Sequence, residues 1–452
     1  MLGRLTIFAL LAAIHVSAFA QSEPKDSLAA VGKVKPSLDT MTGDEIHRME
    51  MMQSHKLLFS AGEDEAYDDS IARTIELFYL DQFRSFSDPE LPYFLFMSKD
   101  TKLAMGIGGS VRMRGWADFD GAVPTNGFIP YMIPTPNDPD QSRAIGGTPG
   151  GTALFFKIVG RDVLKGNFMA YIQADFSGAN NVGFKLKKAY VIWNDWTIGY
   201  AASTFSDPAA EAPTIDGAGQ NGTTSHTTML VRWMHTMKKH WQIAASVELP
   251  SSQIDADGVN TKALKDYIPD VSAFAQYQWG HGEHVRLAGI VRTLPYENLI
   301  TRDRRSLVGW GIQTSALVYP VTRLGLFAEI NYGKGYSAYM GDLSVGSYDL
   351  VPDGSTPGKM YAPESFAANI GLRYNFSTKF YSCLALGQVR YYPSYRPDPT
   401  DYKYGQYLAV NLFYQPTPRL LAGIEYLRGA RHDFSGTTGT ANRIDVLFQF
   451  AF

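Results

Sequence analysis

The last ten residues of the chain, RIDVLFQFAF, alternate between apolar and polar side chains. The apolar set is Ile444, Val446, Phe448, Phe450 and Phe452, and the polar set is Arg443, Asp445 and Gln449. A period of two predicts a β-strand with one apolar face, because successive strand residues point to opposite sides of the sheet. Such a strand needs an apolar medium on one side and water on the other.

The same strand character recurs in about sixteen runs from residue 101 onward, each roughly 10–18 residues long. The runs cover residues 102–119, 151–161, 166–177, 183–193, 196–204, 225–235, 240–249, 270–279, 283–294, 306–318, 322–333, 365–376, 379–392, 405–415, 418–429 and 442–452. Globular strands average about 5–6 residues, whereas a tilted transmembrane strand needs about 9–11. The lengths therefore favour a membrane barrel over a large soluble antiparallel sheet, which is the alternative.

The gaps between these runs alternate between short turns and mostly long loops. The short turns include Asn194-Asp195 and residues 280–282 and 377–378, and the long loops include 120–150, 205–224, 250–269, 295–305, 334–364, 393–404 and 430–441. This rhythm is typical of outer-membrane barrels, which have short periplasmic turns and long outer loops. We therefore predict an all-β fold, a 16-stranded antiparallel transmembrane β-barrel over residues 101–452, in which the last strand pairs with the first.

The first hundred residues have a different character. Residues 1–20 are expected to be a signal peptide, with Arg4, an apolar run and an Ala-Phe-Ala cleavage motif. Their apolar run is too short for the alternative, a membrane anchor of about 20 residues. Residues 21–100 hold 8 basic and 16 acidic residues, against 32 and 28 in the barrel. We interpret 21–100 as a short, partly helical periplasmic extension, with helices near 41–60 and 71–82, whose role includes self-association as one hypothesis.

The polar faces of the strands carry an excess of positive charge. A Lys or Arg facing lipid near the bilayer midplane costs about 2–4 kcal/mol, so these faces are expected to line a wet lumen. The predicted pore-lining cations are Arg112, Arg114, Lys185, Lys187, Arg232, Arg286, Arg292, Arg373 and Arg443, and the predicted inward acids are Asp118, Asp175, Glu248, Glu329, Glu425 and Asp445. Rings of Arg and Lys favour anions. The alternative is that each Arg is balanced by a nearby acid that knits the wall together.

One long loop has the composition of a constriction. Residues 205–224 contain Pro208 and Pro213 and few large side chains, so they are expected to fold back into the lumen. The predicted constriction residues are Phe205, Asp207, Pro208, Glu211 and Asp216. Such a loop would limit the size of a passing solute.

The sequence around this loop resembles a known family. TFSDPAAEAPTIDGAGQNG, the strand TTMLVRWMH and the following ASVELP are similar to segments of the DcaP-like trimeric outer-membrane porins. The matching positions are Gly199, Ser203, Thr204, Phe205, Asp207, Pro208, Glu248 and Pro250. The resemblance implies a homotrimeric sixteen-stranded channel for small anions, dicarboxylates among them. The family also has a periplasmic coiled coil, from which this chain departs because its heptads are broken.

Other classes of function find less support in the sequence. No catalytic residue, cofactor or nucleic-acid motif is predicted, and no His lies in a G-x-S-x-G or H-E-x-x-H setting. His281 and His284 form a spaced pair in a predicted turn, which argues against a metal site, and Cys383 has no second cysteine. We therefore expect a non-enzymatic barrel in a bacterial outer membrane.

The expected partners are membrane lipid, lipopolysaccharide, further copies of the chain and small anionic solutes. Arg302, Arg304 and Arg305 at the predicted outer mouth are consistent with either anion capture or lipopolysaccharide binding. The alternative function is a surface receptor or adhesin with a plugged lumen, acting through loops 120–150 and 334–364.

Overall fold

The computed structural model describes residues 37–53, 56–57, 71, 73–75, 77–78, 94–163, 165–238, 240–395 and 397–452. The expected signal peptide and much of the expected extension lie outside these residues. Within the described part of the chain, no helix has both the length and the apolar character needed to cross a membrane.

Sixteen antiparallel strands close into one barrel. They are β1 Leu103–Phe119, β2 Ala153–Val163, β3 Gly166–Asp175, β4 Lys185–Trp193, β5 Trp196–Ala202, β6 Thr227–Met237, β7 Trp241–Glu248, β8 Asp270–Trp279, β9 Glu283–Asn298, β10 Asp303–Val321, β11 Leu324–Lys334, β12 Glu364–Asn375, β13 Phe380–Tyr392, β14 Tyr402–Thr417, β15 Leu420–Asp433 and β16 Thr438–Ala451. The barrel closes where β16 pairs with β1, from Asn442 opposite Phe119 to Ala451 opposite Ser110. The predicted fold class is confirmed.

Smaller elements lie outside the barrel wall or extend it. The helix α1 covers Gly43–Gln53, and the short strands are Lys56–Leu57, Phe94–Met97, Ala144–Thr148, Thr261–Ala263, Val351–Pro352 and Met360–Tyr361. Short 3₁₀ helices cover Pro130–Met132, Pro139–Gln141, Ala179–Asn181, Pro208–Ala210, Ser337–Tyr339 and Leu343–Val345. We call the end of the barrel with the turns β2–β3 through β14–β15 the short-turn end, and the opposite end the long-loop end.

The barrel wall is apolar outside and polar inside, the reverse of a soluble protein. In β16, Val446 and Phe448 are 50% and 51% exposed, whereas Arg443 and Asp445 are fully buried. Because facing residues of paired strands point to the same side, this division continues around the sheet. The outer surface is therefore suited to hydrocarbon and the inner one to polar contacts.

The alternation predicted over 183–192 is wrong in its second half. The pairing of β3 with β4 shifts register between Gln173 and Ala174, so that Lys187 is the extra residue of a β-bulge. After the bulge the two faces are exchanged: Ile192 is 7% exposed and Trp193 is 44% exposed. Beyond the bulge both faces carry apolar residues, with Tyr190 on one and Val191 on the other, so the sequence did not reveal the shift.

Two of the predicted long loops are tight connections instead. Strands β9 and β10 pair as far as Asn298 opposite Asp303, and β15 and β16 pair as far as His432 opposite Thr438. The loops predicted at 295–305 and 430–441 therefore shrink to 299–302 and 434–437. These strand ends interrupt the apolar–polar alternation, for example with Pro295 in β9 and with Arg304 next to Arg305 in β10, so the pattern did not mark them as strand.

The N-terminal elements contact the barrel. The strand Phe94–Met97 pairs antiparallel with residues 104–107 of β1. The C-terminal residue Phe452 exchanges two 2.9 Å backbone hydrogen bonds with Gly109, immediately beside that pairing. The predicted boundary at residue 100 thus falls in the turn of a hairpin that belongs to the barrel sheet.

Helix α1 begins as the sequence pattern suggests. The Thr42 backbone N–H donates to Glu45 Oε2 at 2.7 Å, and the Glu45 N–H donates to Thr42 Oγ1 at 3.4 Å. This reciprocal pair is a capping box, which satisfies two of the free N–H groups at a helix start. Asp44 and Glu45 in the first turn also complement the positive end of the helix dipole.

Candidate functional site in the barrel lumen

Residues 203–226, between β5 and β6, fold into the interior of the barrel; we call them the constriction loop. Phe205, Asp207 and Ile215 are fully buried, and Asp216 is 4% exposed. Pro208 begins the 3₁₀ helix Pro208–Ala210, where its fixed φ suits the first position. The loop is therefore packed against the wall along its length rather than exposed to bulk solvent.

The start of the loop is held by Asp207. Its carboxylate accepts from Ser315 Oγ at 2.5 Å and from His284 Nε2 at 3.0 Å, and it lies 3.3 Å from the Arg286 guanidinium. Arg286 also donates to the backbone oxygen of Ser206 at 2.8 Å. Burial alone would raise the pKa of Asp207, but the charges of Arg286 and His284 hold it well below its usual range. This carboxylate is therefore a permanent negative charge.

The far end of the loop is held by three other strands. The N–H groups of Ile215 and Asp216 donate to Glu425 of β15 at 3.0 and 2.8 Å. The Asp216 carboxylate accepts from Arg114 of β1 at 2.9 Å, and the Arg112 guanidinium donates to Ile215 O at 3.0 Å. In a ring of sixteen strands, β9 and β1 are eight strands apart. Between these ends, Asn411 of β14 donates to Pro213 O at 2.9 Å, so the loop follows the inner wall from β9 to the opposite side of the barrel.

The return path of the loop packs on the strands in between. Thr224 N–H donates to Glu329 of β11 at 2.7 Å, and Asn331 donates to Gly222 O at 3.1 Å. A Cβ at Gly387 of β13 would lie 1.9 Å from the backbone oxygen of Asn221, so only glycine allows this approach. Contacts of this kind fix the path of the loop on its return to β6.

Glu211 lies between the two anchors of the loop, which are the contacts of Asp207 at its start and those of Asp216 at its far end. It is close to the carboxyl groups of Glu329 and Asp207. Burial raises its pKa to about 8, and the nearby charges of Glu329 and Asp207 add to the increase. The loop therefore carries one carboxyl group that is mostly neutral at pH 7, close to a carboxylate that is always charged.

Most predicted pore-lining cations lie inside the barrel next to acids. Arg114, Arg232, Arg286, Arg292, Arg373 and Arg443 are at most 7% exposed, Arg112 is partly buried, and Lys185 and Lys187 are exposed. The ion pairs are Arg443–Asp118 at 2.7 Å, Arg292–Asp270 at 2.9 Å, Arg292–Asp349 at 2.8 Å, Arg114–Asp445 at 3.1 Å, Arg373–Asp44 at 2.5 Å and Lys187–Asp175 at 3.5 Å, besides Arg286–Asp207 and Arg114–Asp216. Local balancing, the alternative raised by the sequence, holds for these residues.

Several of the residues that contact these cations were not predicted from the sequence. Asp270 lies on the same face of β8 as the buried Ser272 and Gln276, so the alternating pattern could have predicted that it points inward. Asp349 lies in the 335–363 loop and Asp44 in α1, where no strand period applies. Lys157 of β2 is fully buried and donates from Nζ to the backbone oxygen of Phe78 at 2.6 Å. A lysine between Phe156 and Ile158, in an apolar run of the strand, was the available signal there.

The two histidines considered as a spaced pair have different partners. His284 contacts Asp207, as described above, whereas His281 Nδ1 lies 2.9 Å from Glu45 Oε1 of α1. Across the described ranges, no three His, Cys, Asp or Glu side chains are grouped as a metal site requires.

Two further long-loop segments fill the long-loop end. Tyr131 N–H donates to Asp342 Oδ1 at 2.8 Å, and the Tyr402 hydroxyl of β14 also donates to Asp342. Burial raises the pKa of Asp342 to about 6. Tyr336, Tyr339, Met340 and Leu343 of the 335–363 loop join Phe205 in one buried cluster. Loops 120–152 and 335–363 thus pack on each other and on the constriction loop.

The architecture agrees with that of solved outer-membrane channels. The structure of the outer membrane channel DcaP of Acinetobacter baumannii superposes with a TM-score of 0.68 at 20% identity, covering 79% of this chain and 99% of that one. The chain has the fold of the outer-membrane porins. The anion-selective porin from Comamonas acidovorans gives a TM-score of 0.51 at 9% identity, covering 78% of this chain and 100% of that one. Salmonella typhi OmpF gives 0.51 at 10% identity, with 79% and 99% covered.

The sequence comparisons identify no family for this chain. No protein-family model matches the chain, and no curated protein matches it. The resemblance noted around the constriction loop is therefore confirmed at the level of the fold, by the superposition on DcaP.

Proposed function

We propose that this chain is an outer-membrane porin, a passive diffusion channel for small hydrophilic solutes that prefers anions such as dicarboxylates. The supporting observation is the constriction loop, which lies along the inner wall of a closed barrel with a polar lumen and an apolar outer belt. In this proposal the loop sets the size limit, and the barrel performs no chemistry. The long-loop end faces the cell exterior with its lipopolysaccharide, the short-turn end faces the periplasm, and three copies assemble in the membrane.

Anion preference would arise from wall cations at the two ends of the constriction loop. Arg112 donates to the backbone oxygen of Ile215 at 3.0 Å, near the far end of the loop, and Arg232 donates to that of Ala202 at 3.2 Å, next to its start. Lys185 is exposed on the face that also carries Asp175. Positive side chains along a narrow path favour anions over cations.

Planar-bilayer recording tests this proposal. The purified protein is inserted under a KCl gradient, and single-channel conductance and reversal potential are measured. Stepwise openings in groups of three, with an anion-favouring reversal potential, are the expected result, followed by faster uptake of a four-carbon dicarboxylate than of a neutral solute of similar size. A cation-favouring reversal potential would contradict the selectivity and leave the channel proposal standing.

A receptor or adhesin barrel is the second candidate. Three long-loop segments, 120–152, 203–226 and 335–363, place buried side chains inside the barrel, which is the observation that favours a plugged lumen. A folded, heat-modifiable barrel that shows no conductance would support this candidate, and its function would then lie in the outer loops.

A further inference from the structure

Helix α1 reaches the inner face of the barrel at the short-turn end. Asp44 Oδ1 lies 2.5 Å from the Arg373 guanidinium of β12, and the Tyr319 hydroxyl is 3.4 Å from Asp44 Oδ2. Arg373 points inward, because Gly371 on the same face abuts the constriction loop: a Cβ at Gly371 would lie 2.5 Å from Ala212 Cβ. The start of α1 is therefore inside the lumen, on the short-turn side of the constriction.

The contacts of α1 and of the residues just before it extend over half of the short-turn rim. They join Glu45 Oε1 to His281 Nδ1, Asp39 Oδ1 to the Arg323 guanidinium and His47 Nδ1 to Gln415 Nε2, each at 2.9 Å. Together with Arg373, these partners belong to four consecutive hairpins, β8–β9, β10–β11, β12–β13 and β14–β15. On α1 itself, Ile46, Met49 and Met51 are at most 7% exposed. The helix is thus packed on the barrel and not only tethered to it.

A second N-terminal piece lies against the other half of this rim. Phe78 is in helical conformation, and its backbone oxygen accepts from Lys157 Nζ of β2 at 2.6 Å. Phe78 and Leu95 are fully buried in a cluster with Ala104 of β1 and Val159 of β2. N-terminal residues therefore contact opposite walls of the same mouth.

From this placement we infer that α1 is a removable stopper of the short-turn mouth, which reduces conduction while it is docked and permits it when it leaves. The inference rests on the proposed channel function. Its polar contacts are accessible to water: the Asp44 and Asp39 side chains are 51% and 75% exposed. Arg373 itself is only 9% exposed, but its pair with Asp44 is open to water on the Asp44 side. Ion pairs that water reaches contribute less than fully buried ones, so we expect the docked state to be reversible.

A disulfide lock tests the stopper in the full chain. A Cβ at Gly43, the first residue of α1, lies 3.0 Å from Asn375 Cγ, which places the two Cβ atoms within about 4.5 Å, inside the range of a disulfide. Gly43→Cys with Asn375→Cys, in a Cys383→Ser background, is expected to cross-link α1 to β12 on oxidation. The oxidised channel should conduct at least fivefold less than the same channel after reduction.

Gly43→Cys with Cys383→Ser alone is the matched control and should conduct equally with and without reductant. Failure of the double-cysteine protein to cross-link would overturn the docked position. Equal, nonzero conductance of the locked and reduced forms would overturn the stopper and leave the porin proposal intact. No conductance from any form would overturn the porin proposal, and the stopper with it.

A charge variant gives an independent readout without cysteines. Asp44→Asn with Glu45→Gln removes the carboxylates that face Arg373 and His281, and it should at least double the open fraction of the channel. The matched control, Asp140→Asn with Asp398→Asn, removes two exposed acids from the long-loop end and should leave the open fraction unchanged. Equal open fractions for the two variants would contradict the inference.

Discussion

The constriction loop and helix α1 both enter the lumen, and both are held by an aspartate on an arginine of the wall. Their exposure to water differs. Asp207 and Arg286 are fully buried, whereas the Asp44 side chain is 51% exposed and Arg373 is 9% exposed. Breaking a buried ion pair leaves a buried charge without compensation and lowers stability strongly, whereas an exposed pair contributes little to stability. The same pairing chemistry thus gives a fixed element in one place and a releasable one in the other.

Removing the loop's first anchor should have the largest effect. Asp207→Ala removes the carboxylate that pairs with the buried Arg286 guanidinium and accepts from His284 and Ser315, at a cost of about 3–5 kcal/mol. We expect a lower temperature of heat modification and a larger conductance, because the start of the loop is freed. Asp303→Ala breaks the exposed Arg305 pair and should leave the temperature of heat modification almost unchanged. Similar losses in the two variants would remove the distinction between buried and exposed anchors.

Removing cations at the far anchor should shift selectivity next in order. Arg112→Ala with Arg114→Ala takes two positive charges from β1 and leaves Asp216 and Asp445 without their shared partner. We expect a reduced anion preference, measured as the reversal potential in a KCl gradient. The charge-preserving Arg112→Lys with Arg114→Lys should retain most of it. An unchanged reversal potential in the alanine variant would exclude these two residues from ion selection.

A change of pH alone tests whether the charge of Glu211 in the constriction loop affects anion preference. Its pKa is raised to about 8, so the carboxyl is mostly neutral at pH 7 and charged at pH 9. Since the folded-state pKa lies above the ordinary one, ionisation carries a cost to the folded state that grows as pH rises from about 4.5 to 8. Anion preference should therefore fall between pH 7 and 9. Glu211→Gln should remove that dependence, and a persisting pH effect would assign it to another group.

We expect the smallest effect from a change of salt concentration, which should loosen the contacts of α1. Raising KCl from about 0.1 to 1 M shortens the screening length from about 10 to 3 Å, which weakens the exposed contacts of α1 and leaves buried anchors almost unchanged. In Gly43→Cys with Cys383→Ser, we expect faster maleimide labelling at high salt. Phe205→Cys in the same background should label slowly at both concentrations. A salt-independent rate at residue 43 would place α1 with the fixed elements.

The sequence was sufficient for the barrel because lipid imposes a period of two on every strand that crosses it. Strand β16 shows this directly, with Val446 exposed and Asp445 buried. The pattern disappears where lipid no longer acts. Residues 295–298 and 303–305 are strand but lie beyond the apolar belt, and Lys187 sits in a bulge that shifts the period by one.

The partners of the lumen charges were harder to predict. Arg292 was expected to face inward, but its counter-ion Asp349 comes from a loop 57 residues further on, whose path no local pattern encodes. Arg373 was assigned to the lumen wall, while its partner Asp44 was assigned to a separate extension. Contacts between distant segments depend on the closed barrel itself, so they become visible only in three dimensions.

The seam between β1 and β16 carries a consequence for how the chain folds. Two of the buried ion pairs, Arg443–Asp118 and Arg114–Asp445, join these two strands across 325 and 331 residues of sequence. Contacts of such long range form late, because the chain between them must be ordered first. Arg114 also binds Asp216, so one anchor of the constriction loop depends on the last-made strand for its charge balance. We expect β16 docking to complete the lumen's electrostatics as well as its wall, in one cooperative final step.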